Sequence, residues 1–211
     1  FDGLHDVPTD QPMGALTEAR NVELEITREH QDEFAAISHQ RAAAAAAEGR
    51  FADEIVPVTV KGRKGETVVD TDEGVRPDST PESMAKLKPA FSKDGTITAG
   101  SSSQISDGAS AVIVTSAARA EAEGWTVLAE IVGYGTVAGP DSTLQHQPAD
   151  AVLDACRRAD IDVKDIDLFE FNEAFASVGL HSTRMLELSS DQVNVNGGAI
   201  SIGHPIGVSG N

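Results

Sequence analysis

A chain of 211 residues is long enough for one large domain or two small ones with an apolar core, and with 40% hydrophobic but only 4% aromatic residues that core must be built from Ala, Val, Ile and Leu. Sixteen basic residues against 34 acidic ones leave a net charge of -18, which argues against nucleic acid or anionic lipid as a partner and requires a local basic patch for any phosphate-bearing ligand. One cysteine, Cys156, rules out an intrachain disulfide framework and points to a reducing compartment, the cytoplasm; no apolar run of about 18 residues and no basic-then-apolar leader is present, so no membrane partner is expected.

The first twenty residues, punctuated by Gly3, Pro8, Pro12 and Gly14, read as loop leading into a short helix. Thr27 is placed to cap a second helix, with Glu29 and Asp32 near its positive end. That helix runs through Phe34, Ile37 and the six alanines 42–47, read as a tightly packed helix, with Gly49 at the expected C-terminal cap. Ile55–Val60, interrupted by Pro57, predicts an edge strand, Lys61–Gly65 a hairpin tip and Glu66–Asp70 the returning strand. Residues 71–104 read as ordered loop around a short helix at Pro81–Leu87. Ala109–Thr115 is continuous in small and apolar residues and predicts a buried strand. A helix over 117–123, ended by Gly124, leads to a strand over Val127–Val132. Alternation follows: helix 148–158, strand 166–170, helix 173–187, strand 193–196, the pattern of an α/β layered domain. A boundary near 98–108 separates the loop-rich part from the regular part. The chain opens at Phe1-Asp2-Gly3-Leu4 without an initiator Met and stops at Asn211 after a Gly-rich run, and so reads as a piece of a longer polypeptide.

Two segments carry candidate chemistry. Phe171-Asn172-Glu173-Ala174-Phe175-Ala176 follows the predicted strand 166–170, at the carboxyl end where α/β sheets place ligands. Asn172 would sit at the start of the next helix, where a plain N-cap is the competing reading. The second segment runs from Asn194 to Gly210, with five glycines in its last fourteen residues. Gly203 and Pro205 flank His204 and hold its imidazole on a turn, a setting that suits proton transfer. His5, His30, His39, His146 and His181 show no ligand spacing, so no metal site is expected. Cys156 lies in an amphipathic helix and reads as a packed residue.

Asn172-Glu173-Ala174-Phe175, followed by Asn194-Val-Asn-Gly-Gly-Ala-Ile-Ser-Ile-Gly-His-Pro-Ile-Gly-Val-Ser-Gly210, resembles the paired signatures of the thiolase family. Ser83–Phe91, Gly95–Ser103, Ser106–Ala109, Glu54–Val58 and Gln31–Ala35 are similar to that family in order and spacing, so the resemblance covers essentially all 211 residues. It implies a partial thiolase-like layered α/β fold: a CoA-binding loop domain over 1–104, the terminal strand and helix of the N-terminal half over 105–126, and a truncated C-terminal domain over 127–211. It also implies acyl transfer between CoA thioesters in fatty acid metabolism, by thiolytic cleavage of 3-oxoacyl-CoA or Claisen condensation of two acetyl-CoA. Coenzyme A and acetyl-CoA are then substrates, no prosthetic group is needed, and the full-length parent is a homo-oligomer, a dimer or tetramer.

By the same resemblance, His204 activates a nucleophilic cysteine and donates to the thioester oxygen, while Asn172 holds a water against that oxygen. Arg76 and Ser83 match residues near the nucleotide and its phosphates; Met13, Leu87, Ala99, Gly100 and Ser103 match the pantetheine tunnel; Phe175 matches a residue beside the acyl pocket. Arg76 with Lys86 and Lys88 supplies the local positive charge. In the family the nucleophilic cysteine lies upstream of Phe1 and the acid/base cysteine downstream of Asn211, so the chain alone is also open to a reading as an inactive fragment or CoA-binding module. Pro12 before Met13-Gly14, and Thr17-Glu18-Ala19 after it, depart from the short-chain pattern and leave the acyl length open. The related 3-oxoacyl synthases place a histidine where Asn172 stands.

Overall fold

The computed structural model describes residues 3–63 and 65–210. Phe1, Asp2, Asn211 and Lys64, the last in the expected hairpin tip, lie outside the described residues. A short hairpin of two-residue strands, β1 (His5–Asp6) with β2 (Gln11–Pro12), delivers the chain into helix α1 (Met13–Glu23). The second helix, α2 (Arg28–Ala47), is the longest, and its start is set locally: the Thr27 hydroxyl accepts from the His30 N–H, as expected of an N-cap. Gly49 follows its end at φ 75°, the left-handed geometry that stops a helix at little cost for glycine. The alanine run is helical, but only Ala42 and Ala45 are buried, so one face packs and the rest meets solvent.

The hairpin is β3 (Val58–Gly62) against β4 (Gly65–Val69), antiparallel and exposed throughout, with Gly62 paired to Gly65. Helix α3 (Pro81–Met84) is shorter than predicted; Thr80 and Ser83 form its reciprocal capping box. Helices α4 (Ala117–Glu123), ended by Gly124 at φ 66°, α5 (Gln147–Ala159), α6 (Ala176–Met185) and α7 (Ala199–Ile202) complete the list, with a 3-10 turn over Ile206–Gly210. Cys156 is buried on α5, a packed residue as expected. Helix α2 packs against α3, α6 and α7. One apolar cluster joins Ala35, Met84, Ala176 and Ile200, and another joins Phe169, Phe171, Leu186 and Val193 beside α5.

The predicted strands are the main correction. Ala109–Thr115 and Val127–Val132 form no strand among the described residues, and their side chains are exposed: Ile113 is 84% and Leu128 95% accessible. Strands 166–170 and 193–196 are reduced to a parallel bridge between Phe169 and Val193 and a short one between Val195 and Gly197. An apolar run reports that a segment wants burial, not which backbone will pair with it. Helix α6 also starts three residues later than predicted, because the Ala174 carbonyl accepts from Ser103 N–H and Ala176 N–H donates to the Ser101 carbonyl, holding Phe175 extended. Among the described residues no helix is long and apolar enough to cross a membrane.

The apolar surface on Val112–Val114 and Val127–Val132 predicts that the isolated chain self-associates. Sedimentation velocity should show a broad distribution, narrowed by the pair Ile113→Asp and Leu128→Lys with no loss of denaturation midpoint. A monodisperse wild-type monomer unfolding in one cooperative transition contradicts this.

Candidate active site

Asn172 and His204 arrive from separate turns and meet: the Asn172 Nδ2 donates to His204 Nε2 over 3.1 Å. Asn172 does not cap α6, contrary to the competing reading; the N-cap position is Phe175, with no side-chain capping bond, and the Asn172 amide is therefore left to face the imidazole. His204 is held on its other side as well, with Nδ1 2.6 Å from the Ser209 hydroxyl. Its backbone N–H donates to the Gln104 carbonyl, and it bridges in parallel to Ile105. The preceding Gly203 has φ 99°, and a Cβ there would stand 2.2 Å from Ser106 Oγ, so both backbone and space demand glycine. Burial holds the imidazole below the ordinary histidine range, favouring the neutral ring.

The two turns are tied together beneath the site by Glu173, which is 1% exposed. Its Oε2 accepts from Ser38 Oγ on α2 (2.7 Å) and from the Ile200 N–H in the first turn of α7 (3.0 Å), while Oε1 accepts from Asn194 Nδ2 (2.7 Å). Asn194 in turn grips the 171 backbone, accepting from Phe171 N–H and donating to its carbonyl. Desolvation pushes the Glu173 carboxyl up, and its three donors pull it back. Gly198 is required here, because a Cβ would lie 2.3 Å from the carboxylate carbon.

Asn172 and His204 open on one cleft of about 650 Å³, lined also by Met13, Gly14, Phe91, Ala99, Ser102, Ser103, Gln104, Leu144 and Phe175 among others. Its walls are mainly apolar, with Phe91 and Phe175 in an edge-to-face pair 5.8 Å apart. The Ser101–Ser103 strip is held against Ala174–Ala176 by the two backbone bonds already described, which sets Ser103 beside the Asn172 turn.

The sequence matches "Thiolase, N-terminal domain" over residues 1–118 and "Thiolase, C-terminal domain" over residues 125–211. This chain belongs to the thiolase family. It is 62% identical over all 211 residues to the probable acetyl-CoA acetyltransferase of Mycolicibacterium smegmatis and 48% identical over 209 to the acetyl-CoA acetyltransferase of Paracoccus denitrificans, covering 54% of each. Its fold superposes on the crystal structure of the Bacillus anthracis acetyl-CoA acetyltransferase with a TM-score of 0.90 at 43% identity, covering 98% of this chain and 52% of that one. For human mitochondrial 3-ketoacyl-CoA thiolase the values are 0.91, 44%, 99% and 53%. The chain thus carries a thiolase fold in part, and spans about half the length of these relatives.

Six residues singled out in this thiolase sequence line the one cleft: Met13, Ala99, Ser103, Asn172, Phe175 and His204. Four do not. Leu87 and Gly100 pack on each other, since a Cβ on Gly100 would meet Leu87 Cδ1 and Met84 Sδ at 2.6 Å. The Ser83 hydroxyl is engaged in the α3 cap, accepting from Thr80 N–H and donating to its carbonyl. Arg76 is exposed, as are Lys86 and Lys88; its backbone N–H donates to His39 Nδ1. No group of three or more His, Cys, Asp or Glu among the described residues could hold a metal ion. Sequence reasoning missed Gln104, whose amide donates to the Ile200 and Ser201 carbonyls and so closes the C-terminal end of α7 just before His204. It also missed the roles of Glu173 and Ser209, both inside quoted motifs; only their partners' positions reveal them.

Replacing Glu173 by Gln puts an amide against a donor whichever way it turns. Glu173→Gln should destabilise the full-length polypeptide by about 2–4 kcal/mol in urea denaturation. The sign with pH is also defined. A raised folded-state value means Glu173 contributes most below the ordinary Glu range and less as pH rises through its folded value, so the gap between wild type and Glu173→Gln should narrow as pH rises.

Proposed function

We propose that the polypeptide carrying this chain transfers acyl groups between CoA thioesters, cleaving 3-oxoacyl-CoA with CoA or condensing two acetyl-CoA, and that this chain binds the thioester and polarises its oxygen. The observation that carries the reading is the 3.1 Å contact of Asn172 with His204 at the wall of an apolar cleft. A neutral imidazole there has an Nε2 lone pair available to a thiol. As the S–H bond breaks and an N–H bond forms, the thiolate becomes able to attack the thioester carbon. The carbonyl π pair then moves onto oxygen, and the protonated Nε2 and a water held by Asn172 are donors for that oxyanion. The CoA thiolate departs, taking a proton in the process.

The rest of the reading follows the cleft. Met13, Ala99, Ser103 and Phe175 border the pantetheine and acyl group, with Leu87 and Gly100 supporting that wall, while Arg76, Ser83, Lys86 and Lys88 serve the nucleotide phosphates from residues 1–104. Residues 105–126 end the N-terminal thiolase half, and 127–211 belong to the C-terminal one. The names of the relatives favour a short acyl group, acetyl or acetoacetyl. Its place is fatty acid metabolism in the cytoplasm, and the full-length parent works as a dimer or tetramer.

A second reading applies to the 211 residues alone. Their only cysteine, Cys156, is buried on α5 and does not line the cleft, which favours a CoA-binding segment without turnover. A thiolysis assay with acetoacetyl-CoA and CoA separates the two: turnover by the full-length polypeptide and none by the 211-residue chain is expected, and turnover by the short chain contradicts this division.

In the full-length polypeptide His204→Ala should lower kcat about 10²–10⁴-fold and Asn172→Ala about 10²–10³-fold, with both proteins folded by circular dichroism. Unchanged kcat in both removes the acyl-transfer assignment. Because burial lowers the His204 value, the base form persists into acid, and the acid limb of kcat should fall below about pH 6.5. An acid limb centred above that range contradicts a buried neutral imidazole as the base.

A further inference from the structure

The imidazole of His204 can carry its proton on either nitrogen, and only one choice leaves a lone pair on the nitrogen that meets Asn172. The Asn172 amide nitrogen has hydrogens and no lone pair to offer, so where it stands 3.1 Å from Nε2 that ring atom must accept. The ring proton is then on Nδ1, and the atom within reach of it is Ser209 Oγ at 2.6 Å. A serine hydroxyl suits both ends of such a contact: it accepts from Nδ1–H and, being uncharged, adds no permanent charge beside the ring.

The backbone that brings Ser209 back to His204 is itself unusual. Ile206 has φ 49°, left-handed geometry that a β-branched residue adopts only under strain. It follows Pro205, whose carbonyl accepts from Val208 N–H and closes the turn. Five residues after the imidazole, the chain has thus been bent to return one hydroxyl to its far side. Strain of this kind persists where the surrounding structure demands it, and it concentrates at functional sites. Here Ile206 also lines the cleft and packs on Gly3, where a Cβ would lie 3.0 Å from Ile206 Cγ2, so the strained residue is anchored from outside the turn.

We infer that Ser209 is a positioning residue for His204: its hydroxyl accepts the Nδ1 proton, fixes the ring plane, and so keeps the lone pair on Nε2, directed at Asn172 and the cleft. Ser209 does not itself line the cleft, so it acts through the imidazole. The inference rests on the acyl-transfer reading for its consequence to kcat, but the protonation pattern of the ring can be tested without any activity.

The test is nitrogen NMR of the full-length polypeptide labelled at the histidine ring, with the His204 signals assigned by their loss in His204→Asn. Wild type should show a protonated Nδ1 and an unprotonated Nε2 at neutral pH; a proton on Nε2 overturns the inference with no variant needed. Ser209→Ala should shift the ring toward a mixture of the two forms. It should also lower kcat about ten- to a hundredfold while KM for acyl-CoA stays the same. Ser209→Thr, which keeps the hydroxyl, should restore both the Nδ1–H form and most of kcat. If threonine fails to restore them in a folded protein, or alanine leaves ring and kcat untouched, Ser209 has no such role. Should His204→Ala retain full kcat while the wild-type ring is protonated on Nδ1, the acyl-transfer reading fails and the serine–imidazole pairing stands.

Discussion

A carboxylate withdrawn almost entirely from water is the point at which this half-thiolase is joined. Glu173 receives one donor from α2, one from the start of α7 and one from Asn194, and in sequence it lies between Asn172 on one side and, past Ala174, the N-cap position Phe175 of α6 on the other. Such a group is costly to bury and is tolerable only if its lone pairs are met. That requirement gives the arrangement its definition. Moving α7 relative to the Asn172 turn would leave a buried carboxyl oxygen without its donor, so the two turns bearing Asn172 and His204 are held at one separation. The 3.1 Å contact at the surface of the cleft depends on bonds made one layer beneath it.

That layer exists because small residues let backbones come close. Ser38 and Ser201 share a hydrogen bond where α2 meets α7, and a Cβ on Gly197 would stand 2.6 Å from that of Ala42. The alanine-bearing face of α2 therefore serves as a smooth surface against which the Gly197-Gly198 turn is laid, rather than as a source of large apolar contacts. The composition, rich in alanine and glycine and poor in aromatics, finds its reason in this close approach.

Outside this region the chain exposes much apolar surface. Val112, Ile113, Val114, Val127, Leu128, Ile131 and Val132 face outward, in segments whose composition is that of buried strands. The family relatives are about twice as long, and the two matched thiolase regions meet between residues 118 and 125, within and just after α4. The cleft, by contrast, is bounded by elements that this chain supplies from both its first hundred residues and its last forty.

What the sequence settled by itself was local. Thr27 as a cap, Gly49 and Gly124 as left-handed helix ends and the helices near 28–47, 117–123 and 147–159 follow from interactions within a few residues, and they stand where spacing and propensity put them. The thiolase motifs likewise marked Asn172 and His204. Tertiary structure alone decided the remainder. Strand formation at 109–115 and 127–132 depends on a neighbouring backbone, and periodicity cannot say whether one is there. Asn172 looked like a helix cap until pairing of 101–103 with 174–176 held Phe175 extended and delayed α6. Glu173 and Ser38 lie 135 residues apart, and no rule of spacing relates them; only the folded chain, which must satisfy a buried carboxylate, brings them to 2.7 Å.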